Sequence, residues 1–450
     1  MISIPSATNA QTIPGARQAA LGILLRVRKD GSYVSLSLGQ LDRLGLEGPE
    51  KNLCTRLVYG VIEKTVTLDY YLSVLSSQPL GQLDADVLES LRLGLYQLMF
   101  MDKIPVHAAL NETVSLVSIR KRGYVNAVLR SYLRRRSELL PPNRDKDFAA
   151  HLSVLSSTPE KLVRKFIDIL GRDGAKAFLL TEDRYPLTLR VNTVKITRDE
   201  CLKKLKKVHP DLTFEKTAVS PWGICVSGGN PAELSGFEEG LFFVQDEASQ
   251  ICTTMIGARP GMKILDACAC PGSKSFGMAI DSGDKADIRS LDLHPNKISL
   301  IREGASRLGL TSVHEGVHDA RKAPDGSLKD SDIVLCDVPC SGYGVIFKKP
   351  EIKYKDPDSC KELPKVQYEI LSASSGCVKP GGELIYSTCT ILPEENEGVV
   401  RQFLDAHPEF GLEPFRVGSL EAHEGMLTLY PHIHGTDGFF MAKLRRRNLA

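Results

Sequence analysis

The chain has 450 residues, too many for one compact hydrophobic core, so two or three domains are expected. Its 57 Lys and Arg against 55 Asp and Glu leave a formal charge of +2, which excludes a uniformly basic coat for nucleic acid and leaves only local basic faces to argue from. Residues 1–17 are polar with no apolar export segment, and no stretch approaches the ~18 uninterrupted apolar residues of a membrane span, so a cytoplasmic protein without a membrane partner, its eleven cysteines free, is expected.

From about residue 17 to 136 the pattern is helical: Val87, Leu88, Leu91, Leu95, Leu98 and Met99 recur at spacings of three and four. An all-α domain over residues 13–140 is predicted. Leu140, Pro141, Pro142 and Asn143 break that pattern, because proline fixes its own φ and disfavours helix in the residue before it. Residues 147–238 carry a mixed signal: a helix-like 159–170, a strand-like 187–194, a lysine-rich helix 202–208 and an apolar run 223–226. That mixture predicts a small α+β domain. From about residue 240, strand candidates at 263–267, 288–293, 331–338 and 383–387 alternate with helical stretches. The alternation predicts a doubly wound, mainly parallel α/β domain over residues 239–447, with ligands at the carboxyl ends of its strands.

The first of these strands runs into Asp266-Ala267-Cys268-Ala269-Cys270-Pro271-Gly272-Ser273-Lys274-Ser275, a turn of small residues leading into a helix. Small side chains let backbone N–H groups approach a ligand closely. A phosphate-binding Walker loop fails on spacing, since Ser273 precedes Lys274 and the earlier Gly is missing. A plain strand-to-helix turn is the alternative. The second strand ends in Asp292, where an acid in this fold accepts hydrogen bonds from ribose hydroxyls or else caps a helix.

Further on, Asp337-Val338-Pro339-Cys340-Ser341-Gly342 and Ser387-Thr388-Cys389-Thr390 each terminate a strand. A single cysteine there is most simply a small core residue, and Cys268, Cys270 and Cys336 are assigned no chemistry as nucleophiles. Two thiols at one ligand edge suit a specific reaction. Carbon 5 of a pyrimidine is a poor nucleophile until something adds to carbon 6; a thiolate does so, carbon 5 takes an alkyl group, and a base removes its proton so that the thiolate leaves. Asp337 is placed for the acid near N3 that would promote addition. A zinc site is disfavoured and no metal is expected, because no C-x-x-C pair exists.

These segments resemble the RNA cytosine-5 methyltransferases of the Sun/Fmu/Nop2 type, whose loops read D-x-C-A-A-P-G-G-K-T, D-A-P-C-S-G-T-G and Y-S-T-C-S. Leu189-Arg190-Val191-Asn192-Thr193, Val244-Gln245-Asp246-Glu247-Ala248-Ser249-Gln250 and Asp437-Gly438-Phe439-Phe440 are similar to further family segments, so the likeness spans nearly the whole chain. The resemblance implies a Rossmann-like class I methyltransferase domain using S-adenosyl-L-methionine. It implies cofactor contacts from Cys268, Ala269, Cys270, Pro271, Gly272, Ser273 and Lys274, with further acids at Asp292, Asp319 and Asp337. Cys389 becomes the nucleophile and Cys340 the residue that assists product release, with Asp337 and Lys274 completing the catalytic set. The target implied is one cytosine of 16S ribosomal RNA or its small-subunit precursor, cytosine-967, which must leave any helical stack to meet a thiol. The family pattern is departed from at Cys270 (usually Ala), Ser273 (Gly), Ser275 (Thr), Val338 (Ala) and Tyr343 (Thr). Of these, Ser273 matters most: a positive φ there would strain the loop.

The all-α segment resembles a NusB-like RNA-binding domain through Ala16-Arg17, Val58-Tyr59-Gly60-Val61, Asp69, Asn111-Glu112 and Val125-Asn126-Ala127-Val128-Leu129-Arg130. The adjacent small domain is expected to be RRM-like. Arg120, Lys121, Arg122, Arg130, Arg134, Arg135 and Arg136 form a basic cluster suited to tracking phosphates, the alternative being a solvated helix face. Three rivals fit less well. A DNA cytosine-5 methyltransferase would use Pro339-Cys340 but not the second cysteine, and an amino-group methyltransferase would place an aromatic residue where Cys340 stands. A non-enzymatic RNA-binding assembly or antitermination factor would have lost Lys274, Asp337 or a thiol, and all are present. One site complete within one chain is consistent with a monomer.

Overall fold

The structure, a computed structural model, describes residues 15–30, 44–181, 187–322 and 326–448, so most of the polar start lies outside the described residues. The chain divides into two compact units, Met1–Leu180 with Lys353–Lys355, and Thr181–Ile352 with Asp356–Ala450. Among the described residues no helix is long and apolar enough to cross a membrane.

The first unit is helical: α1 (Ala16–Asp30), α2 (Gly48–Leu75), α3 (Ala85–Phe100), α4 (Val106–Ser115), α5 (Ile119–Arg135), α6 (Phe148–Ser156) and α7 (Glu160–Leu179). The stripe anticipated on α3 faces inward, with Val87, Leu88, Leu91 and Leu95 buried against Leu57, Val61, Leu68 and Leu129. Arg17 ties the first helix to the fourth, reaching Glu112 at 2.5 Å and Gln97 at 2.6 Å. The helix anticipated at 159–170 is longer, and by its contacts it groups with this unit. It runs to Leu179 through a kink at Gly171 (φ 70°), and the edge-on pair Phe166 and Phe178, 5.0 Å apart, closes the bent helix on itself. Lys353–Lys355 return to this unit from far along the chain: Tyr354 Oη donates to Ile62 O at 2.6 Å, and Lys353 is 4% exposed.

The second unit opens with a four-stranded antiparallel sheet, β1 (Leu187–Val191), β2 (Thr213–Lys216), β3 (Gly223–Ser227) and β4 (Phe242–Val244), in the order β2-β3-β1-β4. Helix α8 (Arg198–Val208) starts at a capping box between Thr197 and Glu200 and buries Cys201 and Leu205 on this sheet. Strand β1 stops at Val191, earlier than anticipated, and the side-chain amide of the next residue, Asn192, donates to Gly240 O and Leu308 O, both at 3.0 Å.

The large sheet then alternates with helices: α9 (Glu247–Ile256), β5 (Lys263–Asp266), α10 (Ser273–Asp281), β6 (Asp287–Asp292), α11 (Pro295–Leu308), β7 (Val313–Val317), β8 (Ser331–Asp337), α12 (Leu363–Ser375), β9 (Val378–Thr388), α13 (Glu397–Ala406), β10 (Phe410–Leu412), β13 (Met426–Leu429) and β14 (Phe439–Arg446), with β11 (Phe415–Val417) and β12 (Leu420–Ala422) forming a separate hairpin. Its order is β10-β14-β9-β8-β5-β6-β7, with β13 also on β14. The strands from β9 to β7 are parallel, and β14 is antiparallel to β9. Chain direction across the sheet reverses around β5, so a crevice opens beyond the carboxyl ends of β5 and β8, where open α/β sheets bind ligands.

Candidate active site

The glycine turn after β5 supplies the first wall. Gly272 holds φ 107°, a left-handed conformation, and Ser273 is the first residue of α10. The positive φ thus falls on the glycine, not the serine, and the departure at Ser273 leaves the backbone unstrained. Gln245 Nε2 donates to Ser273 O at 3.1 Å. Behind it, fully buried Arg190 pairs with Asp281 at 2.7 Å and donates to Gly277 O at 3.3 Å, clamping α10 to β1. Asp266, at the end of β5, accepts from Ser275 Oγ at 2.7 Å through one oxygen, while its Oδ1 is buried without a partner. Burial pushes this carboxyl up to about 7. Asp292 closes the next strand and receives Cys270 N at 3.2 Å and His294 N at 3.0 Å. Asp319 lies farther out, gripped on both oxygens by Arg321 at 2.9 and 2.8 Å.

The second wall comes from β8 and β9, where Asp337 is paired in register with Ser387. Ser387 Oγ donates to Asp337 Oδ1 at 2.7 Å, and Lys274 Nζ donates to Oδ2 at 2.6 Å. Lys274 is 7% exposed and stands 5.2 Å from the centre of the Phe439 ring. Burial works against its charge, but the Asp337 carboxylate overcomes that and holds the ammonium above its ordinary value.

The loops that leave these strands bring the two cysteines together: Cys340 Sγ and Cys389 Sγ lie 3.2 Å apart, one thiol donating to the other. Gly344 N donates to Cys389 O at 3.0 Å and Gly438 N to Gly344 O at 2.9 Å, so three loops are stitched by backbone. Gly344 has no room for a side chain, since a Cβ there would stand 1.9 Å from Gly438 O. The Cys340 hydrogen bond lowers the Cys389 thiol below its ordinary value, assisted by Lys274 and Lys349. The same bond, with burial, drives the Cys340 thiol well above its own. The other strand-end thiols move differently. Burial pushes Cys270 up to about 11 and Cys336 up to about 12, and carries Cys268 well above its ordinary range.

Among the seven basic residues anticipated as an RNA face, Arg120, Arg122, Arg130, Arg134 and Arg136 make no ion pair among the described residues. Lys121 is occupied, bound to Asp84 at 2.9 Å and Asp86 at 2.8 Å, and Arg135 pairs with Glu138 at 3.3 Å. Sequence reasoning passed over Glu395 and Gln367, which brace the Cys340 loop. Glu395 sits in the turn after the second cysteine, and nothing in its spacing distinguishes a buried acid from a solvated one.

A parallel sheet with one antiparallel strand, a helix opening on a left-handed glycine and two facing thiols at the strand ends define a Rossmann-like methyltransferase domain, here preceded by helical and small α+β parts. The sequence matches the family described as 16S rRNA methyltransferase RsmB/F over residues 253–445, the NusB family over residues 14–134 and the RsmF/B-like ferredoxin-like domain over residues 158–233. The last match includes α7, which packs with the helical unit. Over 447 residues the chain is 36% identical to a Bacillus subtilis protein named "probable ribosomal RNA small subunit methyltransferase B", covering 96% of this chain and 98% of that one. A Synechocystis protein of the same name is 33% identical over 446 residues, covering 96% and 99%. The solved structure of a methyltransferase homologue from Pyrococcus horikoshii has a TM-score of 0.58 and 26% identity, covering 67% of this chain and 99% of that one. The chain belongs to the RsmB/F family of 16S rRNA methyltransferases.

Proposed function

We propose that the chain transfers a methyl group to carbon 5 of one cytosine in 16S ribosomal RNA or its precursor, through a covalent bond between Cys389 and carbon 6 of the base. The observation that carries this reading is the thiol pair 3.2 Å apart, in which Cys389 is the cysteine shifted towards its anion. The family resemblance indicates cytosine-967. Residues 13–140 and 147–238 are read as the NusB-like and RRM-like RNA-binding domains and 239–447 as the catalytic domain of a cytoplasmic monomer.

S-adenosyl-L-methionine supplies the methyl group when bound. The residues present fit it. The turn Cys268, Ala269, Cys270, Pro271, Gly272, Ser273 and Lys274 presents small side chains at a helix start, and the free Oδ1 of Asp266 is a buried acceptor waiting for a donor. Asp292 and Asp319 keep lone pairs beyond those their present partners use, enough to receive hydroxyls.

Cys389, as thiolate, attacks carbon 6 of the cytosine. A proton reaching N3 through the Lys274–Asp337 pair draws the electrons of the ring and favours addition. Carbon 5, now enamine-like, accepts the methyl group. Cys340 then assists departure of the carbon 5 proton and expulsion of Cys389. The test is incubation of the purified chain with undermodified small-subunit RNA and labelled S-adenosyl-L-methionine, followed by bisulfite mapping of the product. Label confined to a 5-methylcytosine supports the reading; label on a base nitrogen, or none, overturns it.

A further inference from the structure

Glu395 is 1% exposed and has no part in the chemistry above. Its Oε2 accepts from Ser341 N at 2.9 Å and from Gln367 Nε2 at 2.8 Å, and the same Gln367 amide reaches Pro339 O at 3.0 Å. The residues on either side of Cys340 are therefore both fastened to this carboxylate. Its second oxygen, Oε1, is buried with no hydrogen-bond partner. Leaving half of an acid unpaired in an interior costs free energy, and a neutral or apolar side chain would avoid that cost. The charge itself therefore calls for a role.

The charged groups around the two sulfurs are unevenly distributed. Glu395 is fastened beside Cys340 through Ser341 N, whereas Lys274 and its partner Asp337, with Lys349, are the charges that act on Cys389. The hydroxyl of Tyr386 also senses Glu395, and it donates to the Glu395 backbone oxygen at 2.5 Å. Resting on the reading of Cys389 as nucleophile, we infer that Glu395 is a positioning residue that decides which sulfur attacks: its negative charge keeps the one proton of the Cys340–Cys389 pair on Cys340. The exchange it governs, Cys340–SH with Cys389–S⁻ against Cys340–S⁻ with Cys389–SH, moves a single proton between sulfurs and consumes nothing. The bond between the two sulfurs is the first cause of their opposite shifts, and Glu395 adds to it on the Cys340 side.

Limited alkylation of the full chain with iodoacetamide at pH 7, without RNA, read by peptide mass mapping, reports which sulfur is anionic. The unsubstituted chain labels Cys389 first. Glu395→Gln retains an oxygen for Ser341 N but removes the charge. The ratio of Cys389 to Cys340 label should then fall about tenfold, the effect of one pK unit from a neighbouring charge. The pH profile of Cys340 labelling should move downward, while that of Cys389 stays near its place. Gln367→Ala, which loosens the loop but keeps the charge, should leave the ratio near that of the unsubstituted chain. An unchanged ratio in Glu395→Gln, an equal fall in Gln367→Ala, or Cys340 labelled first in the unsubstituted chain would each overturn the inference. Should Glu395→Gln not fold, Glu395→Asp withdraws the charge by one methylene and should shift the ratio the same way by less; no shift there overturns it equally. Failure of the underlying reading is separate: a Cys389→Ala chain that still methylates RNA refutes the nucleophile assignment whatever the labelling shows.

Discussion

A thiol attacks only as its anion, so the two cysteines are distinguished by proton affinity rather than by position. Cys389→Ala is expected to abolish both turnover and any covalent protein–RNA species, whereas Cys340→Ala is expected to permit addition and methyl transfer but to accumulate a covalent complex on denaturing gels. The reverse pattern would exchange the two roles. Asp266 offers an independent check, because burial raises its carboxyl from 3.8 to about 7. The folded chain keeps that proton to higher pH than the unfolded chain does. The contribution is therefore complete below about pH 4 and is lost as pH rises towards 7, by up to about 4 kcal/mol. Urea unfolding without cofactor should show Asp266→Asn to be more stable than the parent at pH 7 to 8, with a flatter slope between pH 4 and 7. An unaltered slope would mean that the raised carboxyl lies elsewhere.

Elements explain why some of the site was legible in advance and some was not. Strands ending at Asp266 and Asp337 were readable because each is an apolar run stopped by an acid with small residues or proline after it, and this local chemistry decides where a ladder ends; the strand ending at Asp292 carries only Ile288 and Leu291 ahead of its acid. The meeting of the Cys340 and Cys389 loops was readable as far as a shared sheet edge. Their 3.2 Å separation depends on Gly344 and Gly438, whose backbones pack without side chains between them. Gly344→Ala should cost at least ~2 kcal/mol, because the added carbon meets a backbone oxygen rather than a side chain that could swing away. A thermal melt indistinguishable from the parent, with full activity, would show that the loops are not held there. What sequence could not supply was pairing over distance. Lys121 has the look of a phosphate ligand until Asp84 and Asp86 are found against it, and the Arg190 clamp on α10 joins residues far apart along the chain.

At the scale of the whole molecule the near-zero net charge means that any hold on RNA must come from a few uncompensated side chains. Arg134→Gln with Arg136→Gln is expected to weaken small-subunit RNA binding several-fold at low salt. It should also reduce the slope of log affinity against log salt by roughly 0.7–0.9 for each phosphate that is no longer neutralised. Lys121→Gln should move that slope less, its charge being already neutralised by Asp84 and Asp86. Equal slopes for all three chains would mean that the phosphates are held elsewhere. The helical unit is also discontinuous in sequence, since Lys353–Lys355 are part of it and the Tyr354 hydroxyl closes onto Ile62 O. A ribosome making this chain releases the helices described in this unit long before it has made Tyr354. The nascent amino-terminal unit must therefore do without this added bond, Ile62 O being served only within its own helix, until most of the second unit has been synthesised.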